Sequence, residues 1–87
     1  MAFPAIRMDS YRNLFERLQN GPHNATFHDI KQLLVAARFS LDRTEGSHHI
    51  FTKGSVIFVI PVRGKRVKHT YVRRALAIVS DVTKDLD

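Results

Sequence analysis

Two adjacent histidines, His48 and His49, close the segment Gly46-Ser47-His48-His49 and open an apolar run at Ile50-Phe51. Imidazole, with an ordinary pKa of about 6.5, can both take and return a proton near neutrality. Within two dozen residues comes the densest positive charge of the chain: Arg63, Lys65, Arg66, Lys68, Arg73 and Arg74, with no acidic residue among them. A titratable ring beside a surface that attracts phosphate is suited to breaking a phosphodiester. RNA supplies its own nucleophile, the 2′-hydroxyl, so one proton-accepting histidine and cations that stabilise the charged transition state could suffice.

A competing reading exists for each of these residues. Histidine frequently serves as an ordinary polar side chain, and for His48 alone that is the better guess until its surrounding motif is weighed. His48 and His49 do not make a metal pair, because successive strand residues point to opposite faces and no third ligand has suitable spacing. The carboxylates Asp9, Glu16, Asp29, Asp42 and Glu45 are scattered along the chain, giving no recognisable cation-binding constellation. The expectation is therefore metal-free, cofactor-free chemistry. His23 and His28 read as solvent-facing. His69 sits where a helix entrance would allow contact with phosphate, and an exposed loop position explains it equally well.

The elements that must hold these groups can be read from periodicity. A first helix over about residues 9–19 starts at Asp9 or Ser10, either able to cap it, and carries Met8, Tyr11, Phe15 and Leu18 as its apolar stripe. Asn20-Gly21-Pro22 stops it. Thr26 and Asp29 have the spacing of a capping box for a second helix, whose core face is Phe27, Ile30, Leu34 and Ala37. The apolar period then shortens to two. Phe39 and Leu41 belong to a first strand, Thr44-Glu45-Gly46 turns the chain, Ser47 to Thr52 form a second strand, Lys53-Gly54-Ser55 makes a hairpin, and Val56 to Ile60 form a third. Pro61 and a basic loop lead to a last helix, with Thr70 as its expected cap and Val72, Ala75, Leu76 and Val79 as its core stripe. Val56-Ile57-Phe58-Val59-Ile60 is apolar on both faces, so the first helix, a partner or a second copy should cover the side away from the other helices.

Length and composition bound the reading. The 87 residues, 44% of them hydrophobic, suit one domain over residues 1–87 with its core at about 26–80. There is no cysteine, and no secretory pattern or long apolar run is visible. A cytoplasmic protein without a membrane span is expected. The net charge of +6 is uneven, since Asp81, Asp85 and Asp87 make the tail acidic. A one-sided basic surface favours a polyanion or an acidic protein partner, although short basic runs also occur simply as solvated surface.

The helix from Thr26 towards Phe39, the Gly46-Ser47-His48-His49-Ile50-Phe51 motif, the hairpin, the apolar strand closed by Pro61, the basic loop and Tyr71-Val72-Arg73-Arg74 together resemble HicA-type toxins over about residues 11–80. The resemblance implies an α+β fold like the double-stranded-RNA-binding domain: a three-stranded antiparallel sheet with helices packed on it, α-βββ-α, here with an extra N-terminal helix. It implies the toxin of a type II toxin–antitoxin system, a ribosome-independent mRNA interferase that arrests translation until a HicB-like antitoxin neutralises it. The catalytic histidine falls by position on His48, with Ser47, Arg63, Lys65, Arg66, Lys68, Arg73 and Arg74 expected to bind RNA. The sequence departs from many members at Arg38, where glycine is common, at Glu45, where a basic residue is common, and at Arg63, where a second histidine occurs. Arginine keeps the charge and loses the proton transfer.

Two readings from other classes remain beside this one. A non-catalytic RNA-binding module would use the same layout and charge, with His48 contacting phosphate or the 2′-hydroxyl. A basic regulatory protein would dock its positive face on an acidic partner.

Overall fold

In the computed structural model, which describes residues 8–83, three helices and three strands follow one another as α1 (Met8–Asn20), α2 (Phe27–Ala36), β1 (Ser40–Glu45), β2 (His48–Lys53), β3 (Val56–Pro61) and α3 (His69–Thr83). A short 3-10 turn, Pro22–Asn24, joins α1 to α2. The expected caps Asp9 and Ser10, the side chain of Met8 and the acidic Asp85 and Asp87 lie outside the residues whose side chains are described.

The capping box at the start of α2 forms as its spacing requires. Thr26 Oγ1 accepts the Asp29 N–H at 3.2 Å, and the Asp29 carboxylate accepts the Thr26 N–H at 3.1 Å. At the other end Phe39 N–H reaches the Leu34 carbonyl and Arg38 N–H the Val35 carbonyl, both at 2.9 Å, which is a Schellman motif. Arg38 occupies its left-handed position with φ 73°. Phe39 and Leu34, the apolar pair that accompanies this motif, are both buried.

The strands form an antiparallel sheet in the order β1-β2-β3. Both hairpins use a two-residue Gly-Ser loop, Gly46-Ser47 and Gly54-Ser55, with the glycine at φ 61° and 59° respectively. Glycine in the first loop position with serine outside the left-handed region is the pattern of a type II′ turn. The first turn therefore differs from the expected Thr44-Glu45-Gly46: β1 continues through Glu45, and Ser47 belongs to the loop. Between Leu41 and Arg43 the register slips by one, leaving Asp42 as a β-bulge on this edge strand.

The helices pack on one face of the sheet. Ile30, Leu33 and Leu34 of α2, Phe51 of β2, Ile60 of β3 and Val72, Ala75 and Val79 of α3 make a single core that Leu18 of α1 joins. Since α1 packs against α2, α3 and the 3-10 turn, it does not cover the sheet's outer face. There Ile57 stays 64% exposed and Val59 38%. The helix α3 begins one residue before the expected cap: Lys68 O accepts the N–H groups of Tyr71 and Val72, which puts Thr70 inside the first turn. The architecture is α+β and agrees with the α-βββ-α fold of double-stranded-RNA-binding domains, preceded by an extra helix.

Candidate functional site

Strand alternation separates the two histidines. His49 pairs with Ile60, and Phe51 with Phe58, on the face that the helices cover. His48 pairs with Glu45 on one side and Pro61 on the other, and is exposed. Pairing partners share a face, so His48, Ile50 and Thr52 belong to the outer one. Sequence alternation was ambiguous here because Ile50 and Phe51 are both apolar. Both are in fact buried, Phe51 under the helices and Ile50 between its cross-strand partners Arg43 and Val59.

The outer face near His48 carries a charge cluster. Arg43 donates from Nε to Glu45 at 2.7 Å and from Nη1 to Asp42 at 2.6 Å. Just past the end of β3 the Val62 N–H donates to the Ser47 carbonyl at 2.8 Å, which starts the basic loop directly beside the residue that precedes His48. The loop turns at Gly64, φ 68°, with Arg63 and Arg66 bridged across it. It is then tied to the entrance of α2: Phe27 N–H donates to Lys65 O at 2.9 Å, Val67 N–H to Ala25 O at 3.3 Å, and the Val67 side chain is buried. Two segments nearly forty residues apart are thereby held together, and the loop's cations are displayed from a backbone with few free conformations.

Arg63, Lys65, Arg66, Lys68, Arg73 and Arg74 are all exposed. The ion pairs among the described residues join Arg17 to Asp29 and Arg43 to Asp42 and Glu45, leaving these six cations out. Arg74 lies over the Tyr71 ring, its guanidinium carbon 5.6 Å from the centroid, and Tyr71 packs on the core. His69 stacks on His23 with centroids 4.4 Å apart. Loss of hydration there, and then the charges of His23, Arg73 and Lys68, hold the His69 pKa below its ordinary value.

A cavity of about 540 Å³ lies on the helix side of the hairpin. Gly46, Ser47 and His49 form one wall, Val62, Gly64 and Lys65 another, and Thr26, Phe27 and His28 the third. The His49 ring packs on Phe27 with centroids 4.3 Å apart and planes at 44°. Of the residues expected to act, Ser47 and Lys65 meet at this cavity, while His48 stands beyond Ser47 on the outer face. Thr26, Phe27, His28 and His49 were not among the expected site residues. Counting alternation back from Phe51 would have put His49 on the core side; nothing local in the sequence announces that the start of α2 faces it. No group of three or more potential metal ligands occurs among the described residues.

Fold and site together describe a small basic α+β domain that presents a histidine-bearing hairpin beside a pinned cationic loop. The family model for the HicA toxin of bacterial toxin–antitoxin systems matches residues 27–79, more than half of the chain, and the protein belongs to that family. Comparison with curated proteins and with solved structures gives no match. Membership implies an antitoxin partner. No helix among the described residues is long and apolar enough to cross a membrane.

Proposed function

We propose that this protein is a ribosome-independent mRNA interferase, an endoribonuclease acting in the cytoplasm, which uses His48 for metal-free cleavage and is neutralised by a HicB-like antitoxin. The observation that carries the reading is the family match over residues 27–79 with Gly46-Ser47-His48 at its hairpin. His48 is the first residue of β2 and exposed, so an RNA backbone can reach its ring.

The chemistry follows from the groups present. The His48 imidazole takes the proton of a 2′-hydroxyl, and that oxygen attacks the neighbouring phosphorus. The bond from phosphorus to the 5′-oxygen of the next nucleotide breaks, leaving a cyclic phosphate, and the same ring returns its proton to the departing oxygen. Arg63, Lys65 and Arg66 in the pinned loop, with Lys68, Arg73 and Arg74 at the entrance to α3, supply cations for the phosphates flanking the cut and for charge that builds during it. Ser47, exposed in the turn, adds a hydroxyl beside the scissile group.

Expression of the intact chain and of His48→Ala in bacteria without any partner tests this. Growth arrest with mRNA fragmentation is expected for the first and neither for the second, while the variant keeps its native circular dichroism. Arrest and fragmentation that persist in a folded His48→Ala protein would refute it.

A further inference from the structure

The cavity on the helix side of the hairpin has a composition that simple phosphate binding does not require. Phe27 and Val62 give it apolar surface, His49 adds a second ring against Phe27, and Ser47, His28 and Lys65 bring polar groups to its edge. Its volume of about 540 Å³ is that of an open depression with room for one planar base.

His49 contributes a defined hydrogen-bonding state. Its Nδ1 is buried without a hydrogen-bond partner, and no other described side-chain nitrogen or oxygen is in that condition. In neutral imidazole one nitrogen carries the proton and the other accepts. Enclosing an N–H with no acceptor is costly, and a bare ring nitrogen is the easier atom to enclose. An unpaired, enclosed Nδ1 favours the tautomer that carries the proton on Nε2, and because His49 lines the cavity that N–H is a donor for a ligand there.

From this arrangement we propose that the cavity is a subsite for one unstacked nucleobase of single-stranded RNA, with His49 Nε2–H donating to a base oxygen or nitrogen and Phe27 supplying the apolar wall. The proposal rests on the RNA reading above. A base paired in a duplex cannot enter, because its face is stacked and its edge is engaged. Gly46 and Ser47 line the cavity and lead directly into His48, so a strand seated by one base passes over the hairpin tip to bring the adjoining phosphodiester to the outer face. Lys65 at the cavity mouth then meets the phosphate on the other side of the bound base.

The test uses the full chain carrying His48→Ala, which leaves RNA uncut, and compares it with the same protein carrying His49→Ala or His49→Gln. The probes are a single-stranded octaribonucleotide, the same sequence in a duplex, and an abasic ribose-phosphate oligomer of equal length. Loss of one base contact predicts roughly tenfold weaker single-strand binding for His49→Ala. His49→Gln, whose amide N–H reaches about as far as Nε2, should stay close to the parent, and binding of the abasic oligomer should be unchanged in both variants. Long-range 1H–15N spectra of the His48→Ala parent, which need no substitution at position 49, should show the proton on Nε2 and a shift of that nitrogen on adding the single strand. Unchanged single-strand affinity in His49→Ala, equal weakening for the abasic oligomer, or a proton found on Nδ1 would overturn the assignment. Failure of the nuclease reading is separately visible: a chain with His48 intact that binds the single strand through His49 and never cuts it would sink the enzyme and leave the subsite standing.

Discussion

Glu45 and His48 are the last registered pair of the β1–β2 hairpin, and both lie on the sheet face away from the helices. The Glu45 carboxylate holds Arg43 at 2.7 Å, so the proposed proton acceptor stands beside a carboxylate and a guanidinium that are engaged with each other. This geometry gives the Glu45 departure a consequence. A negative charge next to a phosphodiester opposes binding, and while paired with it Arg43 is less available to RNA. Glu45→Ala in the uncut His48→Ala background should tighten RNA binding by about two- to fivefold at low salt, and the difference should shrink as ionic strength rises. Fluorescence anisotropy across a salt series measures both.

The box at the start of α2 makes stability depend on acid. Burial pushes the Asp29 carboxyl up, but hydrogen bonds from Arg17 and from the Thr26 backbone, with the Arg17 charge, outweigh it and leave the pKa below the ordinary 3.8. A carboxylate lowered in the folded state binds fewer protons there than in the unfolded chain, so its contribution is complete above about pH 4 and is lost as pH falls through the folded-state value. Urea unfolding from pH 6 to pH 2 should show this loss in the wild type and a shallower slope in Asp29→Asn. At neutral pH, Thr26→Ala should cost about 0.5–2 kcal/mol through the lost cap.

Arg38 takes φ 73° in the Schellman motif, a conformation that strains every residue with a Cβ. Arg38→Gly should therefore raise stability by up to about 1 kcal/mol after the greater entropy of glycine in the unfolded chain is subtracted, less what the interaction of the Arg38 side chain contributes. A higher urea midpoint with an unchanged slope would establish it; a lower one would mean that the arginine side chain contributes more than its backbone costs.

His69, stacked on His23 at the entrance to α3, should titrate below its ordinary 6.5. Lost hydration is the main cause, followed by the charges of His23, Arg73 and Lys68. A histidine with a lowered folded-state pKa adds stability above pH 6.5 that disappears as pH falls through the lowered value. Following the ring protons by NMR, His23→Ala should move the His69 midpoint upward, and Arg73→Ala should move it in the same direction.

Much of this was legible because it is local. The Thr26 to Asp29 spacing, the apolar stripes of α2 and α3 and the period-two segments each depend on residues a few positions apart. The departures from local expectation have equally definite origins. Two identical Gly-Ser loops close the two hairpins, and the first lies one residue beyond the turn expected at Thr44-Glu45-Gly46 because the bulge at Asp42 hides the true length of β1. The face of His48 could not be read from Ile50 and Phe51, since the neighbours Arg43 and Val59 shelter Ile50 on the outer side as the helices shelter Phe51. The cavity brings together residues 26–28, 46–49 and 62–65, a proximity set by backbone bonds between loops that no periodicity encodes.

Removing one residue from inside a strand usually inverts every side chain beyond it. In β1 the ladder already passes over Asp42, with Leu41 opposite Phe51 and Arg43 opposite Ile50, so excising Asp42 would join those two neighbours in the orientation they now have. The strand would lose local twist and one partner of Arg43, while Glu45 would still meet His48. Position 42 is thus a place where this chain can be shortened by a residue without disturbing which groups surround the imidazole.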